Sequence, residues 1–85
     1  LNNPFVREQA QAVAASAAVK AATTPDEGIA QLYRQVLARS PTSEERELGL
    51  GFLRESAAPG MPPTPEAWTM LAQVLLLSNE FAFVD

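Results

Sequence analysis

Apolar residues recur along most of this chain at intervals of three and four, the period of a helix with one buried face. The clearest register is Ile29, Leu32, Tyr33, Val36 and Leu37, and Leu48, Phe52 and Leu53 resume it beyond a break. The break is written in residues with defined effects. Pro41 lacks an N–H and biases Ser40 away from the α region. Thr42-Ser43-Glu44-Glu45 then has the order of a capping box, in which the Thr42 hydroxyl accepts from the Glu45 N–H and the Glu45 carboxylate accepts from the Thr42 N–H. This predicts one helix from Pro25 to about Arg39 and another from Ser43 to about Ala57, meeting in an antiparallel corner around which the rest of the chain packs.

The same start signal occurs three more times. Asn3-Pro4 places a favoured N-cap before proline at the first helical position, and the helix it opens should run to about Ala22. Its face of Val6, Ala10, Val13, Ala14, Ala17 and Ala21 is made of small side chains, so its grip on the core should be weak and rest on Phe5 and Val6. Thr24-Pro25-Asp26-Glu27 opens the second helix, with two acids complementing the helix dipole. Four prolines and a glycine between Ala58 and Pro65 predict a loop, and Thr64-Pro65-Glu66 opens the last helix, which should end near Ser78. Gly28, Gly49 and Gly51 are candidates for close approach. In the last helix Trp68, Leu71, Ala72 and Leu75 form one stripe and Met70, Val74 and Leu77 another. Either the helix is central or its second stripe is a contact surface. Beyond Ser78 the alternation around Phe81 and Phe83 predicts a short extended tail. The fold class is therefore all-α, a four-helix up-down-up-down bundle with an extended C-terminal tail, and residues 1–85 form one small helical domain.

Composition narrows what such a bundle does. Fifteen of the apolar residues are alanine, so buried area must come from leucine, valine, Tyr33, Phe52 and Trp68. Six basic residues against ten acidic ones give a net charge of −4, and the bases stand singly. No phosphate-tracking patch follows, and nucleic acid is not an expected partner. The longest apolar run is far short of the ~20 residues that cross a bilayer, so no membrane insertion is expected. The chain opens at Leu1 without methionine, and we expect it to be the C-terminal fragment of a larger protein.

With no cysteine and no histidine, thiolate and imidazole chemistry are excluded within these residues, and we expect no metal and no cofactor here. The serines and threonines are explained by caps and turns. The carboxylate pairs Asp26/Glu27 and Glu44/Glu45 sit at helix starts, where caps and dipoles account for them. Met61 and Met70 lack partner ligands and read as core or loop. Trp68 reads as a core anchor, with a carbohydrate or partner platform as the other use. Arg39, at the end of the second helix, is the charge with most to say: it suits a structural ion pair, or an external anion.

Leu1-Asn2-Asn3-Pro4-Phe5-Val6 with Glu8-Gln9-Ala10, then Leu32-Tyr33, Leu37, Arg39, Pro41-Thr42 and Glu45, then Phe52-Leu53, Leu71-Ala72-Gln73 and Ser78-Asn79-Glu80-Phe81 give the chain a resemblance to a known family. It resembles the C-terminal part of the planctomycete-specific domain one family, a domain of unknown function in large bacterial proteins that also carry a cytochrome-c-like domain. The looser Leu-Tyr, Leu-x-Arg and Ser-x-Glu-Phe pattern is also similar to helical modules of phycobilisome linkers and of some secreted bacterial repeat proteins. The resemblance implies an extracytoplasmic multidomain protein, at the periplasm or cell surface, linked to electron transfer or polysaccharide use, and implies no catalytic residue in this segment. Members usually carry glycine where this chain has Ala38, so a left-handed cap is not expected there and the helix should end in a tighter turn or at Arg39.

The leading expectation is a non-catalytic structural or interaction module docking on other domains of its parent through Met70, Val74 and Leu77. The alternative is a helical part of a glycan-active or redox enzyme to which Arg39, Glu80 or Trp68 contributes. Up-down connectivity would bring the corner and the C-terminal residues to one pole, where Arg39 should pair with Glu80 above Phe5 and Phe81, with Asn79 capping backbone groups.

Overall fold

The computed structural model describes residues 3–20 and 22–84, with side chains for all of these except 17, 18 and 79–84. Among the described residues all regular structure is helical. Four helices of three turns or more, α1 (Pro4–Ala14), α3 (Pro25–Leu37), α4 (Ser43–Ser56) and α5 (Pro65–Val84), are joined by one further turn of helix, α2 (Ala17–Lys20).

The starts of these helices follow from the sequence. The Asn3 Oδ1 accepts from the N–H groups of Phe5 and Val6, Thr24 Oγ1 from Glu27 N–H, and Thr64 Oγ1 from Ala67 N–H. The Thr42–Glu45 capping box is complete, with 3.1 Å from Glu45 N to Thr42 Oγ1 and 2.9 Å from Thr42 N to Glu45 Oε1. Each cap satisfies donors that a helix start otherwise leaves orphaned.

The helix ends differ more. The predicted first helix breaks after Ala14 rather than running to Ala22. Ser16 sits in the break, where its Oγ accepts from the Gln35 side chain at 2.9 Å, and α2 then turns so that Val19 enters the core against α3. The second helix stops at Leu37, not Arg39. Ala38 takes φ 58° and ψ 34°, and its N–H donates to the Arg34 carbonyl, so the left-handed cap forms without glycine. Where an extended tail was expected, the backbone stays helical to Val84; no proline or glycine follows Ser78 to stop it.

The core joins Ala10, Val19, Ile29, Leu32, Tyr33, Leu53, Leu71 and Leu75. Among the described residues α1 and α5 approach each other over the longest stretch of any helix pair. Ala10 is fully buried, and side chains that small bring the two backbones close over a long contact. Val6 is buried as expected, but Phe5 is exposed. In α4 only Leu53 of the expected trio is buried, while Leu48 is exposed and Phe52 marginally so. The reason is Gly49: a Cβ there would lie 3.1 Å from Ile29 Cδ1, so α4 approaches α3 on its Gly49–Leu53 face and turns Leu48 outward. Gly51 has nothing near it.

α4 also does not simply fold back from the end of α3. Its first turn is tied to both ends of that helix, through Glu45 to Arg39 and through Arg46 to Asp26 at 3.2 Å. Pro41 and Ser43 border a small cleft with Asp26 and Ala30. The connection therefore runs back along α3 before α4 begins.

Candidate functional site

Three surfaces come into question. The first is the corner. The αL cap at Ala38 turns the chain so that Arg39 faces the start of α4, and the guanidinium meets Glu45 with two parallel bonds, Nη1 to Oε1 at 2.8 Å and Nη2 to Oε2 at 2.9 Å. Nη1 also donates to the Ser40 carbonyl at 3.0 Å, and Cζ stands 5.5 Å from the centroid of the Tyr33 ring. The fork geometry suits arginine and no other cation. Hydrogen bonds from Arg39 first, and from the Thr42 backbone second, hold the Glu45 carboxyl at about 2, well below its ordinary 4.5. The same pair raises the Arg39 pKa, and burial, with the charge of Glu45 behind it, raises that of the Tyr33 phenol. Arg39 thus makes the structural ion pair that its position suggested, with Glu45 as the acid among the described residues. The side chains of Glu80, Phe81 and Asn79 lie outside the described residues, and so does the expected Arg39–Glu80 pairing.

The second surface is the outer stripe of α5. Val74 is 46% exposed, and Met70 and Leu77 flank it half-buried. Leu71, Leu75 and Ala72, further round the helix, are core, and Ala67, two turns before Val74 on the same side, is buried as well. Gln73 is a residue that sequence reasoning missed. It is 1% exposed, its Nε2 reaches only the Met70 sulfur at 3.9 Å, and its Oε1 has no hydrogen-bond partner among the described residues. Its flanks gave no signal, because its burial arises from how many sides of α5 are covered.

The third surface is a groove of about 1180 Å³ at the end of the molecule where α1 finishes and α5 begins. Among the described residues no Cα of α1 or α2 lies within 8 Å of a Cα of α4, and the space between them is lined by Leu50, Leu53, Met61 and Trp68. Trp68 lies so close to α3 that a Cβ on Gly28 would stand 2.5 Å from its Cη2, so Gly28 is required by this approach. Trp68 lines the groove and Arg39 does not, so these two candidate site residues are not brought together. Lys20 and Arg54 are at the groove edge. No group of acidic residues arranged to hold a metal ion occurs among the described residues, and no helix is long and apolar enough to cross a membrane. Comparison of the chain with protein-family models, curated proteins and solved structures finds no match.

Proposed function

We infer that this chain is a non-catalytic helical module that docks onto other domains of a larger protein through the outer stripe of α5. The observation that carries the reading is Val74, a β-branched side chain left 46% exposed in the middle of the longest helix, between the half-buried Met70 and Leu77. Burying that stripe on a partner domain removes apolar area from water. The last turn of α1, the first of α3, the last of α4 and the first of α5 line the groove, which supports an alternating course for α1, α3 and α5, while α4 starts beside the first turn of α3 and crosses it rather than returning antiparallel. The resemblance to the planctomycete-specific domain one family supplies the rest of the proposal, an extracytoplasmic bacterial parent that carries a cytochrome-c-like domain.

These 85 residues contain no cysteine, so Val74→Cys gives this segment a single thiol. Its reaction with a maleimide, read on the peptide that carries position 74, is timed in this chain alone and in the parent protein. Strong protection in the parent is expected. Equal reactivity in both would exclude docking through this stripe.

A further inference from the structure

The groove and the outer face of α4 have opposite chemistry. Lys20 and Arg54 stand exposed at the edge of the groove, and among the described residues neither makes an ion pair. The carboxylate that shares the lining, Glu66, lies 3.9 Å from Arg7. The groove is thus an apolar bed edged by two available cations, in a chain whose net charge is −4. On the far side of α4, Leu48 is 71% and Phe52 37% exposed, one helical turn apart. Glu44 precedes Leu48 by four residues and Glu55 follows Phe52 by three, so all four side chains fall on one stripe with an acid at each end. Both acids are exposed, and neither makes an ion pair among the described residues.

We propose that the groove receives the Glu44–Leu48–Phe52–Glu55 stripe of a second copy of this chain, a helix laid in a groove with Lys20 and Arg54 meeting its acidic ends. The inference is independent of docking through α5, since it uses neither Met70, Val74 nor Leu77. Charge selects the occupant: an acidic-apolar helix is what the groove complements, and the chain itself presents one. The geometry also sets the symmetry. Leu50, on the groove wall, is two residues from both Leu48 and Phe52, which places groove and stripe about 160–200° apart around α4. Surfaces on opposite sides of a molecule cannot satisfy each other in a closed two-fold dimer, so association runs head to tail. With two large apolar side chains in the stripe, the contact is small and self-association is weak.

The test is sedimentation equilibrium of the chain in a concentration series reaching about 1 mM, the range suited to weak contacts, with two variants at exposed positions. Leu48→Lys removes the stripe and keeps the groove; Lys20→Glu with Arg54→Glu does the reverse. The expected result is that the mass of the wild type rises above 9.1 kDa with concentration and continues past twice that value, and that high salt suppresses the rise. Each variant, with its melting curve unchanged, stays at 9.1 kDa alone, and an equal mixture of the two rises to no more than twice that mass. The mixture decides the matter, because each variant supplies the surface that the other lacks. A wild type that stays at 9.1 kDa throughout overturns the proposal. So do variants that associate like the wild type, or a mixture that remains monomeric, which would mean a symmetric contact elsewhere. A fatty acid that shifts the Trp68 fluorescence of a strictly monomeric chain would assign the groove to an amphiphile and overturn it as well.

Discussion

The two connections that flank α4 differ in what holds them. Between Leu37 and Ser43 the chain is fixed by side chains: the αL turn at Ala38, the Arg39–Glu45 fork and the Thr42 capping box share atoms, since Glu45 Oε1 accepts both from Arg39 and from Thr42 N–H. Between Ser56 and Pro65 stiffness comes from the backbone instead. Pro59, Pro62 and Pro63 fix their own φ angles, Gly60 takes φ 79°, and the Met61 N–H donates to the Ala58 carbonyl at 2.9 Å. The first connection pulls α3 and α4 together, and Gly49 lets them touch. The second spans its gap without filling it, and the groove lies beneath it. A short polar network closes a helix pair, whereas a proline-stiffened span keeps two walls apart.

The largest effect that separates the two regions is expected beneath the groove. Leu53→Ala empties a fully buried position and should cost about 2–3 kcal/mol in urea unfolding, toward the low end for leucine, because the open wall beside it relaxes into the space. A loss of about 5 kcal/mol would mean that the groove is as rigid as the core. On the corner, Thr42→Ala removes one half of the capping box and should cost about 1 kcal/mol. An effect within error there would mean that the Arg39–Glu45 fork holds the corner alone.

Of the same order or smaller is the exchange of the two left-handed residues, one in each connection. Gly60→Ala puts a Cβ on a residue at φ 79° and should destabilise by about 1 kcal/mol, through backbone strain alone, since nothing lies within 4 Å of that Cβ. Ala38→Gly relieves the same strain at φ 58° against the entropy that glycine loses on folding, and should stabilise by about 0.5 kcal/mol. Opposite signs in thermal melts are expected. The same sign for both would break the parallel between the connections.

Much of this was legible in the residues. Local chemistry fixed the starts: Asn3, Thr24, Thr42 and Thr64 each cap the helix that they were expected to cap. The apolar register of α3 buries Ile29, Leu32 and Tyr33 as its spacing predicts. Illegible were outcomes that depend on distant partners. At the break Ser16 accepts from Gln35, nineteen positions away, and the alanines on either side gave no reason to stop. The outward turn of Leu48 depends on how closely Gly49 meets Ile29. The sequence offers no glycine for a left-handed cap at Ala38, yet the turn forms there with the Arg39–Glu45 fork beside it. Of the candidate site residues, Val74 is as exposed as the second stripe of α5 suggested, while the groove left no trace in the sequence, being an absence of packing between α1–α2 and α4.

The smallest effect is electrostatic and concerns the corner only. Glu45 titrates at about 2 when folded, against an ordinary 4.5, so the folded state binds this proton less tightly than the unfolded chain does. Its contribution to stability is therefore complete above about 4.5, declines as pH falls through that value and is gone below about 2. Glu45→Gln isolates it, because glutamine still accepts from the Thr42 N–H and keeps the capping box while giving up the charge that Arg39 meets. The stability gap between wild type and variant should be constant from neutral pH down to the carboxylate range, then narrow and close in acid. High salt should shrink it at neutral pH, since both partners are partly exposed. A gap that keeps its size in acid would mean that Glu45 acts through hydrogen-bond shape rather than charge, and the corner would then differ from the proline span only in geometry.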